Sequence, residues 1–211
     1  MPDRGTGEPA RRPVRPPLGE REGQIYVAAS RLFIQKGFAG TSMSDIAEAV
    51  KITKAGLYHF VDSKEELLFT ISQFGMDRLD EQVIAPAAAI ADPLERLEAI
   101  LKAHVQNAGR ASREDGNPLT IVVDEPGGLT PEHRKVIEGR KRAYLDLLRG
   151  TLGELEVQGR LTEGVDVTAA AFAAIGAIMW IGRWWRPDGR LSLEETAEQV
   201  AAVLLNGVLR R

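Results

Sequence analysis

The sequence predicts an all-α protein: a small N-terminal three-helix unit built around a helix-turn-helix, followed by a larger C-terminal helical domain. Three observations predict it. Apolar residues recur at intervals of three and four along most of the chain, which places them on one face of successive helices. Cap residues stand where those runs begin, as at Ser63, Asp92, Thr130 and Ser192. No stretch alternates apolar and polar residues as a half-buried strand does.

Residues 1–19, MPDRGTGEPARRPVRPPLG, hold five prolines, three glycines and four arginines. That composition forms no helix and offers little to pack, so the segment reads as a solvated, disordered arm. A second reading has Arg11, Arg12 and Arg15 entering a DNA minor groove. The first helix follows, with Ile25, Ala28, Ala29, Leu32 and Phe33 on one face and Lys36-Gly37 closing it.

The block TSMSDIAEAVKITKAGLYHFVDSKEE, residues 41–66, carries the most information. Thr41 or Ser42 caps a two-turn helix whose apolar face is Ile46, Ala47 and Val50. Lys51-Ile52 makes the turn, and Thr53 caps a probe helix expected over 54–60, roughly 11 Å long and matched to a major groove about 12 Å wide. Ser63 to Glu66 reads as a capping box opening a long helix through Leu67, Leu68 and Ile71. Two short helices joined by a tight turn are the layout of a helix-turn-helix nucleic-acid reader.

Beyond it, Asp92-Pro93 opens a helix with Leu94, Leu97, Leu101, His104, Val105 and Ala108 on one face. A short apolar helix is expected over 117–124, ended by Pro126-Gly127-Gly128. Thr130-Pro131 opens a helix through Tyr144, Leu145 and Leu148 to about Gln158, and Gly159 and Gly164 punctuate the next loop. Residues 165–185 are apolar almost all round, which in a soluble protein means burial on more than one side. Ser192 to Glu195 is a second capping box, starting a last helix whose inner face is Ala197, Val200, Ala201, Leu204, Leu205 and Val208.

Residues 22–68 resemble the N-terminal domain of TetR-family transcriptional regulators. Thr41, Ile46-Ala47, Gly56, Leu57-Tyr58 and Ser63-Lys64-Glu65 stand at the family's positions. Lys51 stands where glycine is common in the turn, and Val61 stands where the family usually has phenylalanine. The resemblance implies a sequence-specific regulator of double-stranded operator DNA. It further implies a homodimer paired through its last two helices, and a small-molecule effector held in the C-terminal domain that releases a repressor from its operator. The expected domains are 1–19, 20–66 and 67–211. The segment from Trp184 to Gly189 resembles a feature of TetR regulators that sense lipid or acyl-CoA metabolites, which makes a hydrophobic or acyl-CoA-like effector the expectation.

The expected DNA-binding residues follow by chemistry. The hydroxyls of Thr41 and Ser42 suit phosphate oxygens, and Tyr58 and Lys64 match the family's phosphate contacts. Thr53, Lys54, Ala55 and His59 lie on the exposed face of the probe helix, and Gly56 permits close approach. Candidate effector-lining residues are Phe74, Leu101, His104, Val105, Tyr144, Phe172 and Met179. Candidate dimer residues are Ala173, Gly176, Ala177, Trp180, Trp184, Val200 and Leu204, small side chains for close approach beside large ones for contact area. An ordinary intramolecular role remains open for each pocket residue and for the dimer candidates, and for His59 a surface role.

Composition narrows the alternatives. The 211 residues contain no cysteine, which removes disulfides, thiolate metal sites and cysteine nucleophiles. The three histidines, His59, His104 and His133, have no paired metal-ligand spacing, and no nucleophile elbow or phosphate loop is present. An enzyme is not expected, nor any cofactor or metal. The N-terminus lacks the apolar run of a secretory signal, and the uncharged segment 167–182 is shorter than the roughly 18–20 residues of a membrane span. No membrane association is expected, and the location expected is cytoplasmic. Net charge is −3, and residues 20–66 carry six basic against seven acidic side chains, so the reading unit alone is no basic block. Its affinity should rely on pairing two copies. The competing class is a helical protein that keeps this fold and regulates through protein partners.

Overall fold

The computed structural model describes residues 20–113 and 126–210. The arm at 1–19 and the helix expected over 117–124 lie outside the described residues. All regular elements described are helical: α1 (Glu20–Lys36), α2 (Met43–Ala49), α3 (Lys54–Leu57), α4 (Lys64–Leu79), α5 (Ala85–Ala88), α6 (Pro93–Arg113), α7 (Pro131–Val157), α8 (Val167–Met179), α9 (Ile181–Trp184) and α10 (Leu193–Val208).

Helix α1 buries Ile25, Ala29 and Phe33 against α2 and α4, and Gly37 ends it at φ +75°, where a side chain would be strained. The cap of α2 is Ser42. Its hydroxyl accepts from the Asp45 amide while the Asp45 carboxylate accepts from the Ser42 amide, and this acceptance, led by the Ser42 hydroxyl, holds the Asp45 pKa well below the usual range. Helix α3 is shorter than the sequence predicts. Only Lys54–Leu57 is α-helical, and the chain continues to Phe60 in tighter turns, with the His59 amide on the Gly56 carbonyl and Phe60 on Leu57.

At the start of α4 only half of the expected capping box forms. Ser63 accepts from the Glu66 amide at 3.0 Å, while the Glu66 carboxylate faces His133 of α7, 3.5 Å from Nε2. Helix α4 then widens into a π turn over Asp80–Ile84 before α5. The wide turn precedes Pro86, which donates no hydrogen bond and whose ring crowds the carbonyl four residues back. Arg140 of α7 closes on this place: its guanidinium pairs with Asp77 at 2.8 Å and with Asp80, and donates to the Gln73 carbonyl at 3.2 Å.

The larger domain is organised on α6, which packs against α7, α8, α9 and α10. Asp92 caps α6 by accepting from the amides of Leu94 and Glu95, Thr130 caps α7, and Ser192 with Glu195 forms the expected box on α10. The apolar stretch 165–185 is not one helix. Asp166 caps α8, and the chain bends at Trp180 before α9. Including Arg183, Val167–Trp184 reaches 18 residues at mean hydropathy 1.4, so by length and composition it could cross a bilayer, which corrects the expectation that it falls short. Its inner face, Ala170, Ala171, Ala174, Ile178 and Ile181, is buried in the domain core. An isolated bridge between Leu161 and Leu209 ties the end of α10 to the loop after α7.

Candidate DNA-reading interface and effector core

Residues of α3 and its flanks present a polar face. Thr53, Lys54, Ala55, Tyr58 and His59 are exposed, while Leu57 is fully buried. Thr53 holds the start of the probe, its hydroxyl accepting from the Gly56 amide at 2.9 Å. A Cβ on Gly56 would lie 3.2 Å from that hydroxyl, so glycine there protects the cap. Lys51 makes the turn at φ +56°, a left-handed conformation that glycine adopts without strain. The departure from the family's glycine is therefore accommodated, with the strain stored in the turn.

Two expected phosphate contacts are corrected. Thr41 is 1% exposed, and its hydroxyl donates to the carbonyls of Gly37 and Leu32 at 2.9 and 3.2 Å. Ser42, one residue on, stays exposed with its hydroxyl in the capping box. The Lys64 ammonium turns inward, donating to the carbonyls of Phe38 and Thr41, both at 2.8 Å, and sitting 4.3 Å above the Phe38 ring. Both groups shape the loop that enters α2.

In the larger domain Leu101, His104, Val105 and Tyr144 meet in the core between α6 and α7. His104 Nδ1 lies 2.7 Å from the Tyr144 hydroxyl. Burial lowers the His104 pKa to about 4 and raises that of Tyr144, so both are neutral near pH 7. Met179 is half-buried. Phe74 and Phe172 are exposed at 41% and 57%, which corrects their assignment to an interior pocket of this chain: their helix faces turn outward. The sequence reading missed Asn107, buried beside His104 on α6, whose amide donates to Gln82 at 2.6 Å while its Oδ1 meets no partner. A polar residue inside an otherwise apolar helix face is the signal that marks it.

The outer faces of α8, α9 and α10 form an open apolar groove lined by Gly176, Ala177, Trp180, Trp184, Val200, Val203 and Leu204. Trp180 and Trp184 are about half exposed, and Ala173 is exposed one turn earlier. Six of the seven expected dimer residues thus line one surface, and Val203, absent from that expectation, is its most exposed large side chain. Trp185 instead turns inward, its indole donating to the Leu191 carbonyl.

Two family models match the chain: "Bacterial regulatory proteins, tetR family" over residues 25–71, and "Tetracyclin repressor-like, C-terminal domain" over residues 91–208. The chain belongs to the TetR family. Its relatives among TetR regulators include the transcriptional repressor KstR2 of Mycobacterium tuberculosis, 26% identical over 195 residues that span 92% of this chain and 95% of the relative. The fatty acid metabolism regulator protein of Bacillus subtilis is 24% identical, spanning 88% and 94%. Among solved structures, AibR in complex with isovaleryl coenzyme A and operator DNA is 39% identical, covers 89% of this chain and 97% of its own, and aligns with a TM-score of 0.75. This TetR chain is thus a DNA-binding transcriptional regulator, with its helix-turn-helix in α2 and α3.

Proposed function

We propose that the chain is a dimeric repressor that holds operator DNA when free of ligand and releases it on binding the coenzyme A thioester of a small or hydrophobic acyl group. The likeness to AibR over nearly the whole chain supports the two partners in this reading, operator DNA and an acyl thioester of coenzyme A, since that relative was solved in complex with both; release is what the titration below tests. The chemistry of the core favours a thioester over a free acid. His104 and Tyr144 are neutral, and the nearby buried cation, Arg140, is already paired with two carboxylates. A thioester brings no charge into such a core, whereas an unpaired carboxylate would be costly there. Leu101, Val105 and Met179 would line the acyl end.

Ser42, Thr53, Lys54, Ala55, Gly56, Tyr58 and His59 would face the operator, each copy reading one half-site. The groove containing Trp180, Trp184 and Leu204 would seat a second copy, burying apolar surface that a lone chain leaves to water. Such a regulator works in the cytoplasm, where its DNA is. The test is a mobility shift at physiological salt with DNA from upstream of the protein's own gene, titrated with isovaleryl coenzyme A, isovalerate and free coenzyme A. Release by the thioester alone is expected. Release by an unrelated metabolite class, with none by any acyl thioester or fatty acid, would refute the ligand; no specific shift at all would refute the DNA reading.

A further inference from the structure

The ring of Phe38, in the loop between α1 and α2, is held on several sides. It lies 5.3 Å from the Phe33 ring, and Lys64 sits above its face. From the larger domain, Gly128 presses against it with bare backbone. A Cβ built on Gly128 falls 2.5 Å from Phe38 Cδ1, 2.7 Å from its Cγ and 2.7 Å from Leu68 Cδ2. These are ring atoms and a packed leucine, so even one methyl group forces the loop to move.

The loop is tied as tightly along its backbone. The Phe38 carbonyl accepts from Lys64 and from the Thr41 amide at 3.3 Å, and Lys64 also holds the Thr41 carbonyl. The next residue is Ser42, the cap of α2. On the other side, Gly128 stands two residues before Thr130, the cap of α7. The start of α7 is also fixed on α4, where His133 stacks on Phe69 at 3.8 Å and faces Glu66.

We propose that Gly128 against Phe38 is the contact through which the effector domain positions the DNA reader, and that Lys64 is a positioning residue within it. This rests on the proposed ligand-controlled DNA binding. Helix α7 carries Tyr144 in the core and begins at this contact, so a shift of α7 moves the Gly128 turn against an aromatic ring held by Phe33 and Lys64. The ring carries the Phe38 and Thr41 carbonyls with it, and with them the entry to α2. On this proposal, the packing of Gly128 on Phe38 belongs to the arrangement that holds DNA.

A double-mutant cycle on the full-length protein tests this, reading operator affinity by mobility shift and isovaleryl coenzyme A affinity by calorimetry, with helicity and dimer mass as controls. Gly128→Ala should weaken operator binding about tenfold and tighten isovaleryl coenzyme A binding, because a shift away from the arrangement that holds DNA populates the one that holds ligand. Phe38→Ala should weaken operator binding too, and adding Gly128→Ala to it should cost nothing further, since the ring that the methyl meets is gone. Operator affinity of Gly128→Ala equal to wild type overturns the proposal, as do fully additive losses or a loss with unchanged ligand affinity. Should Gly128→Ala fail to fold, Phe38→Leu alone decides by whether the two affinities move in opposite directions. A wild type that binds DNA but ignores isovaleryl coenzyme A overturns the thioester reading, and the operator cycle then judges the contact on its own.

Discussion

His104 of α6 and Tyr144 of α7 meet edge to face at the centre of the larger domain, their rings at 79° and their polar atoms 2.7 Å apart. An unfolded histidine takes up a proton near pH 6.5, whereas burial delays this to about pH 4 in the folded chain. The folded state therefore binds fewer protons between those values. The stability from this group is complete above about pH 6.5 and falls by about 3 kcal/mol as pH drops to 4. Urea unfolding of wild type and His104→Leu at pH 7.5 and 4.5 checks it: the wild type should lose distinctly more stability. Equal losses would remove His104 from the acid response.

Arg140 should matter more than a surface cation. Arg140→Leu leaves Asp77 and Asp80 facing each other beside the π turn without their shared partner. Because both carboxylates are partly exposed, the expected cost is about 2 kcal/mol, below that of a fully buried pair. Asp80→Asn in the same chain should recover part of it. A change in urea midpoint too small to measure would contradict this.

Lys51→Gly should stabilise the chain. Glycine adopts the left-handed turn freely, which relieves about 0.5–1 kcal/mol even after its greater freedom when unfolded is counted. A melting temperature higher by about 2 °C is expected.

On DNA, Lys54→Ala and Thr41→Val should separate cleanly. Lys54 is exposed on the probe, and its loss should weaken operator binding by about 1–3 kcal/mol. Thr41→Val removes the hydroxyl hydrogen shared by the Leu32 and Gly37 carbonyls and should cost about 1–2 kcal/mol of stability while leaving the salt dependence of DNA binding unchanged. With its nearly balanced charge, the reading unit should give a modest salt slope; a dimer slope approaching about ten would contradict it.

Trp180→Glu with Leu204→Glu places charge on both walls of the apolar groove. Light scattering should find a monomer at micromolar concentration with helicity retained. A variant as dimeric as wild type would move the interface elsewhere.

The helices were legible because their signals are local. Asp92, Thr130 and Ser192 act within three residues of themselves, and the capped starts they announce are where the chain turns helical. The TetR reader was legible for the same reason. What escaped depends on partners distant in sequence. Glu66 left its capping box for His133, and Lys64 found carbonyls more than twenty residues away. Phe74 and Phe172 fit a helical spacing, yet that spacing does not say which side the rest of the chain covers. The cation that closes on Asp80 at the π turn, Arg140, lies sixty residues on, where no local pattern announces it.

That joint between Arg140 and the end of α4 has a geometric consequence. Helix α4 is a rod of 16 residues, roughly 24 Å long at 1.5 Å per residue, fastened at Asp77 and Asp80 and carrying Lys64 at its other end, where the reader is attached. Pivoting on the guanidinium, a swing of about 8° sweeps that tip through about 3 Å. Leverage of this kind would turn a small angle in the larger domain into a full atomic diameter at the reader, and the stiffness of the ion-paired joint would set how faithfully it did so.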